Sequence, residues 1–115
     1  MIKTSYFAKS SQLPRAIAIS ASVPPGFKGP RLRALAPPYD LIEKYKRDND
    51  EVYFEEQYKE RVLNNLDPKA VYKVTGPDAV LLCWEKSGSF CHRHIAADWL
   101  SSNLGIEIIE MDSLF

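Results

Sequence analysis

Residues Ala79-Val80-Leu81-Leu82-Cys83 form an unbroken apolar run, preceded by the breakers Gly76-Pro77-Asp78 and followed, after Trp84 and Glu85, by the turn residues Lys86-Ser87-Gly88-Ser89. A run of that length between turn signals reads as a strand, and its lack of polar alternation places it at the centre of a sheet covered on both faces. Beyond the turn, Ile95, Ala96, Trp99, Leu100 and Leu104 recur at helical spacing, and Gly105 follows as a stop signal. These predict a helix from about Cys91 to Asn103, with a last strand over 106–111. Strand, helix and strand over 79–111 make a βαβ unit, which should cross over right-handed with its strands parallel.

The upstream half supplies the other layers. Two further strands are predicted, over Ile2 to Ala8 and over Ala16 to Ser20, the second apolar throughout and therefore also expected to be central. From Ala21 to Pro38 prolines accumulate, so neither a ladder nor a helix can run far there. A loop of this length is a candidate wall or lid of a site. Pro37-Pro38 should start a helix through Tyr39, Leu41, Ile42 and Tyr45. A second helix, from about Glu51 to Leu66, would turn Val52, Tyr53, Tyr58, Val62, Leu63 and Leu66 inward. Asp67-Pro68 reads as a cap and first helical residue for a short third helix to about Val74. At 115 residues, 45% hydrophobic and 26% charged, the chain is predicted to form a single α/β domain over 1–115, in three layers, with a largely parallel central sheet flanked by helices.

The 15 basic residues balance 15 acidic ones, so net charge names no partner, but the two kinds are unevenly placed. Lys3, Lys9, Arg15, Lys28, Arg31 and Arg33 all precede the first acidic residue, Asp40. Such an acid-free third suits an anion-binding edge as well as a plain solvated surface. No stretch approaches the roughly 20 apolar residues that span a bilayer, and the chain start lacks the charged and apolar regions of a secretory signal. A cytoplasmic, reducing location is therefore expected, in which Cys83 and Cys91 would be thiols rather than a disulfide.

Reactive side chains converge in one place, between Cys83 and Arg93. This segment lies at the carboxyl end of a strand, where open α/β sheets bind ligands, and it runs into a helix start whose free N–H groups favour an anion. A Cys91 thiol there would be shifted toward thiolate, and Arg93 could grip a phosphate or carboxylate with two bonds. Glu85 is a candidate acid/base, or a partner for Arg93. Zinc on Cys83, Cys91 and His92 is a third reading, without the two close ligand pairs of a structural finger.

At this segment the chain resembles the domain of unknown function 488 family (DUF488), whose C-terminal half reads Leu-Leu-Cys-x-Glu, a short turn, Cys-His-Arg, and a helix containing Ile-Ala and Leu. Val80-Leu81-Leu82-Cys83-Trp84-Glu85, Phe90-Cys91-His92-Arg93, Ile95-Ala96 and Trp99-Leu100 match in order and spacing. The resemblance implies a compact three-layer α/β fold and carries over Cys83, Glu85, Cys91, His92 and Arg93 as the site. Longer members place an aspartate and an arginine on the second strand, where this chain has Ala16-Ile17-Ala18-Ile19-Ser20. In this it is similar to a short subset associated with phages and bacteria.

The leading expectation is a pocket for a phosphate-bearing ligand, either a nucleotide or a nucleic-acid end, with no resident cofactor. In it Cys91 and Glu85 are catalytic, Cys83, His92 and Arg93 contact the ligand, and Lys28, Arg31 and Arg33 close over it from the long loop. On that view Arg93→Ala would leave stability without ligand unchanged or slightly raised while abolishing ligand binding. The alternative from another class is a non-enzymatic interaction or regulatory protein, with the motif structural and Tyr39, Tyr45, Tyr53, Tyr58 and Phe115 supplying contact area.

Overall fold

A computed structural model of the protein describes residues 1–86 and 88–111. In chain order the elements are β1 (Lys3–Tyr6), α1 (Phe7–Ser10), β2 (Ala16–Ala18), a 3-10 turn (Arg33–Leu35), α2 (Tyr39–Asp48), α3 (Glu51–Arg61), a second 3-10 turn (Leu63–Asn65), α4 (Pro68–Thr75), β3 (Val80–Cys83), α5 (His92–Leu104) and β4 (Ile109–Glu110). The four strands form one parallel sheet in the order β2-β3-β1-β4. This is the α/β architecture expected, with the apolar run Val80–Cys83 wholly buried.

Alternation along β3 sorts the core. Leu81 faces a large cluster with Leu41 of α2, Phe54 and Tyr58 of α3, Val71 of α4 and Ile95, Ala96 and Leu100 of α5. Val80 and Leu82 face the other way, onto Phe7, Val23 and Phe27. One face of the sheet is thus covered by helices α2 to α5, and the opposite face by the single turn of α1 and part of the long loop.

Three expectations need correction. The first strand stops at Tyr6 and the chain turns into α1, where Phe7 packs edge-on against Phe27 and Trp84, at centroid distances of 5.4 and 5.2 Å. β2 is at the end of the sheet, not its centre. Its apolar character is satisfied because the long loop lies along its outer side: Ala18 donates to the Pro30 carbonyl at 3.0 Å and accepts from Leu32 N–H at 2.8 Å. Finally, α3 buries Phe54 and Tyr58, four apart, and turns Val52 and Tyr53 to solvent.

Side chains cap two helix starts, the predicted one at Asp67 and a second, not predicted, at Asp50. Asp50 accepts from Tyr53 N–H and Asp67 from Lys69 N–H, both at 3.0 Å, with Pro68 opening α4. α5 ends at Gly105, whose φ of +65° is left-handed. Among the described residues, no helix is long and apolar enough to cross a membrane.

Candidate functional site

Cys83 closes β3 and Cys91 is the residue that opens α5. Because the chain leaves the sheet and re-enters a helix directly above the same strand, the two sulfurs meet, and the structure joins them as a disulfide with Cα atoms 7.4 Å apart. This replaces the expectation of two separate thiols. Both residues are buried.

His92 follows, also buried, with its ring edge against Tyr58. Burial, reinforced by the neighbouring positive charge of Arg93, lowers its pKa to about 4 despite the hydrogen bond to Ile19. The imidazole is therefore neutral at pH 7. Its Nε2 lies 2.7 Å from the carbonyl of Ile19, which can only accept, so Nε2 carries the proton. Nδ1 keeps a lone pair, 3.9 Å from Cys91 Sγ.

Arg93 is turned away from the position an anion clamp would need. It is completely buried, and its Nε and Nη2 donate to the two carboxylate oxygens of Glu110 at 3.1 and 2.6 Å. Its Nη1 donates to Cys83 Sγ at 3.0 Å and to the carbonyl of Glu85 at 2.6 Å. Glu85 thus meets Arg93 through its backbone, and its side chain is exposed. Glu110 also accepts from the Thr4 hydroxyl, which ties β4 to β1.

Above the sulfurs lies a cleft of about 630 Å³, lined by Cys83, Trp84, Glu85, Cys91 and His92 from the motif, by Ser20 to Ser22 and Pro37 from the long loop, and by one side of α2. Tyr39, Ile42, Glu43, Tyr45, Lys46 and Asn49 form that side, at the three- and four-residue spacing of a single helix face. Tyr45 stacks on Phe90 with ring centroids 4.9 Å apart, and burial raises its phenol pKa. Trp84 Nε1 donates to the Ser22 carbonyl at 3.0 Å, fastening the loop to the end of β3.

The long loop is therefore a wall of the cleft, but its cations are elsewhere. Lys28 lines a separate depression beside Phe7 and Pro24. Arg31 Nη2 donates to the Ala21 carbonyl at 3.0 Å, while its buried Nε has no partner among the described residues, and Arg33 sits exposed in the first 3-10 turn. Of the tyrosines expected at the surface, Tyr39 and Tyr53 are exposed, Tyr45 is half-buried and Tyr58 is fully buried; Phe115 lies outside the described residues. The α2 face of the cleft was readable only as a helix face, since Tyr39 and Tyr45 have the spacing of core residues. Nothing local in the sequence pairs Glu110 with Arg93.

Neither the curated proteins nor the solved structures contain a significant match to the chain. A family model does match, over residues 8–104, and its description is DUF488-N3a, the active DUF488-N3 subclade. That span runs from within α1 to the end of α5, takes in the cleft and the Cys83 to Arg93 segment, and the chain belongs to the DUF488 family.

Proposed function

We propose that the cleft binds a nucleotide-class ligand and that the protein acts on it by chemistry requiring Cys83 and Cys91 in reduced form. The observation behind this reading is the convergence of two sulfurs and an unprotonated His92 nitrogen at the floor of a cleft with aromatic walls. Its volume of about 630 Å³ falls within the roughly 300–1,000 Å³ usual for small-molecule sites. Tyr39 and Trp84, both substantially exposed at its mouth, offer flat faces to a planar ring.

The charges narrow the ligand. Among the described residues, Lys46 is the one cation lining the cleft, against the carboxylates of Glu43 and Glu85. Two acceptors and one cation suit a base bearing amino groups and a single phosphate, and disfavour a polyphosphate. With Arg93 occupied by Glu110, recognition falls to the base rather than to an arginine clamp. Cys91, at the start of the 13-residue α5, is the sulfur placed for stabilisation as a thiolate by the helix end. The Glu85 carboxyl, exposed at the cleft edge, is positioned as acid or base.

The test is a titration of the reduced, metal-free protein, in a Trp99→Phe background, with nucleoside monophosphates, nucleoside triphosphates, ribose 5-phosphate and short oligonucleotides, following Trp84 emission. Saturable change with a monophosphate, weaker with the triphosphate, and protection of Cys91 from iodoacetamide are expected. Saturation by oligonucleotides alone would assign the cleft to a nucleic-acid end. If no compound alters emission or alkylation, the cleft is not a nucleotide site and the motif reverts to a structural role.

A further inference from the structure

The floor of the cleft has the composition of a metal site. Cys83 Sγ, Cys91 Sγ and a ring nitrogen of His92 lie within 4.8 Å of one another, all on buried residues. The Cα atoms of the cysteines stand 7.4 Å apart, wider than the roughly 4.4–6.8 Å usual for a disulfide. Two thiolates bound to Zn²⁺ at about 2.3 Å in a tetrahedral site stand about 3.8 Å apart. Once the S–S bond is reduced, the wide backbone spacing accommodates that separation by side-chain rotation.

The surroundings orient these groups as ligands. Nε2–H of His92 is held by the Ile19 carbonyl at 2.7 Å, which leaves Nδ1 as the donor atom on the side of Cys91. A ligating histidine whose other nitrogen donates to a main-chain carbonyl is the recurring arrangement in metal sites. Arg93 Nη1, 3.0 Å from Cys83 Sγ, supplies a charge-assisted hydrogen bond to a thiolate there. A set of two sulfurs and one imidazole, without a carboxylate among the three, selects a borderline-soft ion over Mg²⁺ or Ca²⁺. All three residues line the cleft, so a fourth coordination position opens toward the ligand space.

We infer that the reduced protein binds one Zn²⁺-class divalent ion on Cys83, Cys91 and His92 Nδ1, with its open position facing the cleft. The inference rests on the reading that the cleft floor is functional in its dithiol form, and it names what the two sulfurs hold there. Binding releases one proton from each thiol and transfers no electron. The disulfide form, with each sulfur spent on the other, has no site. With the ion bound, the sulfurs are ligands, and a water or ligand atom at the open position takes the place of a free Cys91 sulfur.

Co²⁺ titration of the reduced, metal-free protein under anaerobic conditions tests this directly. One equivalent should produce thiolate-to-cobalt charge-transfer absorption together with the intense visible bands of a four-coordinate site, and Zn²⁺ should displace it. Protein oxidised by diamide, which removes two electrons and two protons from the dithiol, should show neither signal. Cys91→Ser and His92→Gln should each weaken Zn²⁺ binding by about tenfold or more, with folding checked by circular dichroism. A wild-type dithiol that gives no charge-transfer band with stoichiometric Co²⁺ overturns the inference, whatever the variants do. So does a Zn²⁺ affinity unchanged in both folded variants. Nucleotide binding to the metal-free protein, read from Trp84, is independent of these signals, so either proposal can fail while the other stands.

Discussion

The guanidinium of Arg93 and the carboxylate of Glu110 face each other edge to edge, with Nε to Oε1 at 3.1 Å and Nη2 to Oε2 at 2.6 Å, the arginine without any exposed surface. One end of the motif helix is thereby bolted to the last strand, across 17 residues of sequence. A pair this buried is weak evidence of net stabilisation, but removing the arginine takes away the charge that balances the carboxylate.

Arg93→Met should therefore lower the unfolding free energy by about 3 kcal/mol, the lower end of the usual range because the Glu110 side chain retains some exposure. This reverses the expectation, drawn from repulsion by the helix end and by other cations, that losing the arginine leaves stability unchanged or slightly raised. Urea denaturation of Arg93→Met and of Arg93→Met/Glu110→Leu checks it. The double variant should recover at least half of the loss, since the carboxylate is then removed together with the cation that balances it. A single variant as stable as wild type would remove Arg93 from the structural frame.

Tyr58 is the second buried polar anchor. Its hydroxyl donates to the Leu35 carbonyl at 2.6 Å, linking α3 to the 3-10 turn that ends the long loop, and burial pushes its phenol pKa up. Tyr58→Phe keeps the ring contacts with Phe54 and His92 and deletes only this bond. A buried carbonyl loses its donor, so a cost of about 1–2 kcal/mol is expected by chemical denaturation. No loss would mean that the carbonyl finds water instead.

What could be read from the sequence follows the reach of each interaction. Val80–Cys83 and the helix before Gly105 are set by local apolar pattern and stop signals, and both lie where that pattern puts them. Asp67-Pro68 likewise opens α4. The features that went astray depend on distant partners. α1 exists because Phe7 meets Phe27 and Trp84, and β2 is apolar at a sheet edge because the segment around Pro30 to Leu32 covers it. At the site, neighbours in sequence were found together, whereas Lys28, Arg31 and Arg33 were grouped with them only by charge, and α2 supplied the wall that composition had no means of assigning.

Gly105 offers a clean measure of backbone cost. Its φ of +65° is left-handed, and a Cβ built there meets no atom of the described residues within 4 Å. Gly105→Ala should cost about 1 kcal/mol through conformation alone, without steric conflict. Gly105→Asn, a residue tolerant of this region, should cost less. Thermal denaturation of the two variants side by side checks the order, and an alanine variant equal to wild type would show that the end of α5 relaxes into another cap.

The last prediction uses the buried imidazole in the disulfide form, where the sulfurs are tied and only His92 itself titrates in the group. Its folded pKa of about 4 lies below the 6.5 of an unperturbed histidine. Between these values the unfolded chain binds the proton and the folded chain does not, so stability rises with pH across that window. The contribution of His92 is complete above about pH 6.5 and is lost as pH falls toward 4, at up to about 1.4 kcal/mol per pH unit. Near pH 4 the loss levels off at about 3 kcal/mol, because both states then take the proton. His92→Gln supplies the control: its amide can still donate to Ile19 but carries no titrating charge. Subtracting its stability from that of wild type, measured by urea denaturation from pH 4 to pH 8, cancels the carboxylates that titrate over the same range. The difference curve should slope upward below pH 6.5 and run flat above it. A difference curve flat throughout would mean that His92 is solvated when it takes a proton, and its burial would not govern its chemistry.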